Sequence, residues 1–476
     1  MSGPMIFTRR RFLQQTGALG ALAMASSMER LGLASAAAQA PGYKALVCVF
    51  LFGGNDSNSM VIPITNYAQY DAVRPLASNV QVPLAALQPI TPTNTGGLVY
   101  GLNPAFTSVN ANPSLQGLFG VGKLAVVVNA GSLTQPMTRT EYRSNLVPKP
   151  SNLFSHSDQQ QQGMSSILQA STLTGINGWG GRVGDKVAGM NPPTATPMSM
   201  SFSGTQTFGT GVQVRTLALP TGGTFGFTGD NLAALPGSVA YERAAARAEL
   251  LAAGDASAMV SASQVNAIVA QNASAKISPI LTGTGSAAIT GPFAGMNSSL
   301  ANQLRAVAKV IEARATLQHN RQIFFVSIGG FDTHSAQGTT NVGAGLPSLY
   351  QQIGQALGAF YRSTELMGVV NNVTTFTLTD FNRTFKPNGQ GTDHAWGGHH
   401  FVMGGSVVGG RFYGQYPDLI LGGNNDTDTA GRWIPTTGFD QYGATLGRWF
   451  GVPDVDLPQV FPNLSRFPVS NLGFLG

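Results

Sequence analysis

Four of the six histidines in this chain stand in two short polar segments, His334 in GGFDTH and His394, His399 and His400 in TDHAWGGHH. Both segments also carry carboxylates. Charged residues make up only 10% of the chain, far below the usual quarter, so this clustering points to one polar site assembled from distant loops. Asp332 and His334 offer a hard oxygen and an imidazole two residues apart, able to approach one divalent ion from a single loop. A bare Asp–His hydrogen bond that stiffens the loop is the alternative. Asp393 and His394 are adjacent, so both reach one site only where the backbone turns. Of His399 and His400, one can act through a hydrogen bond behind the ligands while the other faces core or water.

Three further segments carry usable chemistry. GGNDSN (53–58) joins glycines that permit close backbone approach to Asp56, a candidate carboxylate ligand or a plain turn residue. TDFNR (379–383) supplies Asp380 as an acid and Arg383, whose planar fork can hold an anion or pair locally with Asp380. SHSDQQQ (155–161) brings Ser155, His156 and Asp158 together. Residues this close in sequence cannot form the usual nucleophilic relay, and no GxSxG elbow occurs in the chain. Ser155 or Ser157 remains open as a metal-aided nucleophile, with His156 as a substrate contact. His319 reads as an exposed connector and Trp396 as packing.

These residues need elements to position them. Apolar runs at 45–52, 124–129, 214–219, 323–328, 373–379 and 401–405 read as strands, several of them buried on both faces. Helices are expected at 239–252, 299–316, 348–361 and 440–450. The alternation predicts an α/β sandwich around a mainly parallel sheet, in which ligands bind beyond the carboxyl ends of the strands. Runs that end in Asp56, in Asp332 with His334, and in Asp380 would then meet at one edge. Residues 165–235 and 253–296 are dense in Gly, Ser and Thr and read as long loops, with room for a cap-like insertion within 165–296.

At 476 residues the chain can bury a large core, as one domain over 41–476. The net charge is +6. Arg9, Arg10, Arg11 and Arg30 against Glu29 account for three of these charges, which leaves +3 beyond residue 40 and no basic patch for nucleic acid. Cys48 is the only cysteine, so internal disulfides are excluded, and its apolar surroundings suit a buried thiol. TRRRFL (8–13), a weakly apolar stretch and an alanine-rich exit resemble a twin-arginine export signal over 1–40, cut after Ala38 or Ala40. This predicts a periplasmic or extracellular protein, with no membrane anchor in the mature chain.

In their order, GGNDSN, SHSDQQ, GGFDTHSAQ, TDFNRTF, GTDHAWGGHHF, VVGGRFYG and GRWIPTTGFDQYGATLGRWFG resemble a twin-arginine-exported bacterial family, domain of unknown function 1501. The resemblance spans nearly all of the mature chain. Its placement in the alkaline phosphatase–sulfatase superfamily implies a three-layer α/β sandwich and an exported metal-dependent hydrolase of small phosphate or sulfate esters. One or two divalent ions (Zn, Ca, Mg or Mn) are implied, held by Asp56, Asp332, His334, Asp380 and His394, with Asp393 as a further member. The nucleophile would be Ser132 or Ser155; Cys48 stands in the wrong place for a sulfatase-type residue. The family often carries Glu and Gly where this chain has Asp380 and Asn382, so the acid is kept and the loop is bulkier. The competing readings are a non-catalytic exported protein that binds a protein partner, glycan or surface polymer, and a polar cluster without metal.

Overall fold

Lys44–Leu51 (β1) is an unbroken apolar run because both of its faces are covered. In the computed structural model it lies between two parallel neighbours, Arg321–Ile328 (β5) and Val373–Thr379 (β6). The structure describes residues 42–476 except 170–176, 194–195, 227–228, 230–233 and 255–256. The expected export signal, 1–40, lies outside the described residues.

The sheet is completed by Leu124–Gly131 (β2), Ser199–Ser201 (β3), Thr216–Ala218 (β4), Gly398–Met403 (β7), Phe412–Tyr413 (β8) and Thr437–Gly438 (β9). Its order is β8-β2-β7-β6-β1-β5-β3-β4, with β9 also on β2. Every pairing is parallel except those of β7, which runs against both β2 and β6. The expected mixed α/β architecture with a mainly parallel sheet is therefore present. The run 214–219 shrinks to the three-residue edge strand β4, and the run at 401–405 begins earlier, so that β7 contains both His399 and His400.

Alternate residues of β1 build the two cores, as the period-2 geometry of a strand requires. Ala45, Val47 and Val49 pack with Ser299–Glu312 (α5) and Gly345–Leu366 (α6). Leu46, Cys48 and Phe50 pack on the other side with Trp179–Val187 (α2) and Phe439–Phe450 (α7). This is a three-layer sandwich. Four of these elements run close to their expected bounds: α6, α7, α5 (which stops at Glu312) and Val239–Ala252 (α3).

Two expectations need correction. The segment 253–296 is not mainly loop, since Ala258–Thr282 (α4) forms a 25-residue helix. Its Ala, Gln and Ile content favours helix, and Gly is absent between Ala258 and Thr282. His319 is not an exposed connector: it is buried, its Nε2 2.7 Å from the Thr196 carbonyl and its Nδ1 accepting from Gln322 Nε2 at 2.7 Å. Among the described residues, no helix is long and apolar enough to cross a membrane.

His399 and His400 are core residues. The Asn129 backbone N–H donates to His399 Nδ1 at 3.1 Å, and His400 Nδ1 donates to the Thr377 carbonyl at 3.1 Å. Burial is the largest cause that pushes their pKa values down, to about 3 and about 4. A histidine held neutral in the fold stabilises fully above its unfolded pKa, near 6.5, and loses that contribution as pH falls from there toward the folded value. Stability should therefore drop below pH ~6.5 by about 1.4 kcal/mol per pH unit for each of these histidines. Urea denaturation of wild type and His400→Gln from pH 7 to 5 tests this: the variant should show a shallower slope by about one proton, and equal slopes would refute it.

Candidate metal centre

The register of the parallel strands creates the site. Leu51 pairs with both Ile328 and Thr379 at the carboxyl ends of β1, β5 and β6, so the loops that follow these strands emerge side by side. Gly53 shows how closely they pack. It has φ +113°, and a Cβ there would stand 2.5 Å from the Asp332 nitrogen, so only glycine fits. Its N–H donates to Asp380 Oδ2 at 3.2 Å, and its carbonyl accepts from Arg383 Nη1 at 2.9 Å.

Donor atoms of His156, Asp332 and His394 converge above these loops, with His334 beside them. Asp332 Oδ1 lies 3.4 Å from His156 Nε2, 3.2 Å from His334 Nε2 and 3.4 Å from His394 Nε2. His334 Nε2 and His394 Nε2 are 2.9 Å apart. The ligating atoms of His156, Asp332 and His394 all fall within 4.8 Å of one another. His156 arrives from the first turn of His156–Ser165 (α1), Asp332 and His334 from the loop after β5, and His394 from the loop before β7.

The far side of each ring decides what the near side presents. His156 Nδ1 meets Asp380 Oδ2 at 2.7 Å, His334 Nδ1 meets Asp393 Oδ1 at 3.0 Å, and His394 Nδ1 meets the Phe154 carbonyl at 2.8 Å. Carboxylates and carbonyls only accept, so all three Nδ1 atoms carry the proton. In the neutral rings the three Nε2 lone pairs are then left facing the carboxylate oxygen. Acceptors gathered this closely repel each other unless a cation or a shared proton lies between them.

The residues fit a metal ion on this ground. A tetrahedral ion with bonds of 2.0–2.1 Å keeps its ligand atoms about 3.3 Å apart, close to the 3.4 Å that separates Asp332 Oδ1 from His156 Nε2 and from His394 Nε2. His156 Nε2 is buried without a hydrogen-bond partner among the described residues. A histidine ligand whose other nitrogen donates to a carboxylate or carbonyl is the usual arrangement around a bound metal.

Electrostatics agrees with this layout. Burial pushes the Asp332 carboxyl up, but the Arg383 guanidinium 3.0 Å away and the nearby histidines hold it below the usual carboxylate range. The hydrogen bond to Asp380 raises His156, against burial, while burial lowers His394. Asp332, His334 and Asp393 are nearly half exposed, so the centre opens to solvent on their side.

Asp380 and Asp393, taken from sequence as ligands, touch histidine Nδ1 atoms. Asp56 lies deeper, and its carboxylate is fully engaged: Oδ2 accepts from Arg74 at 2.7 Å, Ser59 at 2.7 Å and Gln337 at 2.6 Å, and Oδ1 from Arg74 at 3.0 Å and Asn58 at 3.2 Å. Arg383 is buried and bonded to the carbonyls of Thr392 and Gly53 as well as to Asp332. It pairs with Asp332 and not with Asp380, and no face of it is free for an anion. Ser155 Oγ donates to Asp158 at 2.6 Å, turned to its own helix. Ser132 is buried, with its carbonyl accepting from Trp396 Nε1 at 2.7 Å.

Residues not singled out from sequence complete the centre. Gln160 Nε2 donates to Asp380 at 2.8 Å, and Asn388 Nδ2 to Asp393 at 2.8 Å. Gln160 was findable, since it stands one helical turn after His156 on the same face of α1. Arg74 and the Phe154 carbonyl carried no such signal.

A family model described as "Protein of unknown function (DUF1501)" matches residues 43–429. No curated protein matches the chain in sequence. Among solved structures, the lipoteichoic acid synthase LtaP from Listeria monocytogenes is 9% identical with a TM-score of 0.30, the match covering 83% of this chain and 74% of that one. The PsFucS1 sulfatase from Pseudoalteromonas sp. is 10% identical with a TM-score of 0.28, covering 90% of this chain and 72% of that one. Likeness this distant says nothing about the chemistry.

Two substitutions separate the roles assigned above. Asp380→Asn keeps the donors but loses the charge behind His156, and should weaken ion affinity about 10–100-fold. Competition against a chromophoric chelator measures this, and unchanged affinity would remove Asp380 from the centre. Asp56→Ala strands the Arg74 charge in the interior and should cost about 3–5 kcal/mol of stability, read by denaturant unfolding. A variant as stable as wild type that no longer binds the ion would instead make Asp56 a ligand.

Proposed function

We propose that this chain, which belongs to the DUF1501 family, is an exported metal-dependent hydrolase of phosphate or sulfate esters. The observation that carries the metal is the gathering of His156 Nε2, His394 Nε2 and Asp332 Oδ1 within one ion's reach, with His334 Nε2 beside them and each ring held from behind by an acceptor. A nitrogen-rich set, His156 and His394 with Asp332 and with His334 alongside, suits zinc or a similar transition ion, whereas calcium and magnesium take oxygen-rich shells. When bound, such an ion supplies Lewis acidity to an ester oxygen and to attacking water.

The chain's own groups do the rest. His156, His334 and His394 hold the ion, and Asp380, Asp393 and the Phe154 carbonyl keep their rings in the ligating tautomer. Asp332 stands on the open side, kept ionised by Arg383, and can accept a hydrogen bond from incoming water. The ester class and twin-arginine export rest on the sequence motifs alone.

A second reading is favoured by a specific observation. His334 Nε2, 2.9 Å from His394 Nε2, would add a fourth protein donor and complete a tetrahedron, which is the pattern of structural zinc, whereas catalytic sites keep a position open. With Arg383 spent on internal bonds, the ion would then clasp three loops of a non-catalytic binding protein.

Elemental analysis with assays on p-nitrophenyl phosphate and p-nitrophenyl sulfate separates these readings. The hydrolase reading expects one ion per chain, turnover that needs it, and loss of about 100-fold or more in His394→Ala. One ion per chain with a raised melting temperature and no turnover of either ester would establish the structural role. A chain that takes up no divalent ion would overturn both.

A further inference from the structure

Away from the strand ends, two cavities adjoin on the helical layer made by α5 and α6. One, of about 410 Å³, is lined by Arg305, Lys309, Phe293 and Thr284 among others. The other, of about 550 Å³, is lined by Asn110, Asn297, Gln351, Gln352 and Gln355. They share Ala294, Gly295 and Met296, so one open groove runs across that ridge. Each part is within the size range of ligand pockets.

Among the described residues, the first part is cationic without a compensating acid. Arg305 and Lys309 stand one turn apart on α5, where like charges repel. Their hydrogen bonds go to neutral oxygens: Arg305 Nη2 to the Met296 carbonyl at 2.6 Å and Asn302 Oδ1 at 2.8 Å, and Lys309 Nζ to the Leu281 carbonyl at 3.2 Å. The only acid of that helix, Glu312, accepts from the Ser286 backbone instead. Arg305 Nε is buried with no partner among the described residues, and the guanidinium carbon lies 5.9 Å from the Phe293 ring centre. Burial and the neighbouring Arg305 both lower the Lys309 pKa, as expected of a pair that lacks its anion.

The second part is lined by amides. Gln352 and Gln355 spend their Nε2 groups on Ser348 and Thr107, and Asn110 spends its Nδ2 on the Pro292 and Ala294 carbonyls, which leaves amide oxygens as acceptors. Gln351 offers both donor and acceptor. Neighbouring amide donors and acceptors match the vicinal hydroxyls of a sugar, while the guanidinium–ammonium pair matches a sulfate or carboxylate.

We propose that this groove binds an acidic oligosaccharide, its anionic substituent on Arg305 and Lys309 and its hydroxyls along Gln351 and Gln355. The proposal stands independently of the metal centre. Calorimetry at physiological salt tests it with a sulfated dextran oligosaccharide, neutral dextran of the same length and inorganic sulfate. Wild type should bind the sulfated oligosaccharide, and Lys309→Gln should weaken it about tenfold. That variant leaves the Arg305 hydrogen bonds intact, so it tests the site even if R305Q fails to fold. Gln351→Ala with Gln355→Ala should weaken binding several-fold, and the exposed pair Lys386→Gln with Arg466→Gln should leave it unchanged. No binding, equal binding of neutral dextran, or an equal loss in the Lys386/Arg466 control would overturn the proposal. So would full affinity in the Gln351/Gln355 variant, which would mark a site for a bare anion.

Discussion

The buried Asp56–Arg74 pair is the interaction on which the loop end of this structure depends. Both groups are sealed from solvent and meet through two parallel hydrogen bonds. Arg74 also reaches the carbonyls of Thr384 and Phe385 after β6, and Gln337, after β5, donates to the same carboxylate. One ion pair thus ties together the loops that follow three adjacent parallel strands. Burial raises the Asp56 carboxyl, but Arg74, Ser59 and Gln337 outweigh it and hold the group ionised. A pair this deep adds little net stability over an apolar filling, yet losing one partner is costly. Its effect is to leave the loops a single arrangement.

The centre is built outward from that pair in layers of acceptors. Gln337 accepts from Thr392, whose carbonyl receives Arg383, and Arg383 holds Asp332. Next come Asp380, Asp393 and the Phe154 carbonyl, each fixing one imidazole. Only His156, Asp332 and His394, with His334 beside them, face the common point. A chain with few charges therefore spends four of its acids here, and all four act by orienting or compensating another group. Asp332 alone does both, since the oxygen that would ligate is also the one that pairs with Arg383.

Particular residues show how far such a site can be read from sequence. Asp332 and His334 were legible because polar residues of ligand type follow an apolar strand directly, and strand ends are where an α/β sheet opens; His394 was legible from the crowding of acids and histidines in its own segment. His156 was legible as chemistry but not as a ligand: it precedes no strand, and nothing local shows that α1 begins over the same edge. Asp56 looked like a ligand for the same reason as Asp332, since each stands a few residues past a strand end. What distinguishes them is Arg74, eighteen positions further on, just past the end of the short helix Tyr67–Val73 and with no chemical signal of its own. The helix α4 was hidden for another reason. Ser, Asn and Gln alternate with Ala and Val along it, so its composition resembled a loop although it lacks glycine.

The sequence by itself determined the layered α/β architecture, because strands covered on both faces must be continuously apolar and the helices between them amphipathic. It also determined that acids and histidines would collect at one edge, since they follow those strands. Tertiary structure alone decided which of them ligate and which orient. That choice depends on which nitrogen of each ring meets an acceptor, and each acceptor comes from a residue 59 or more positions away. No periodicity in the chain encodes a contact of that range; only the register of β1, β5 and β6 brings the partners together.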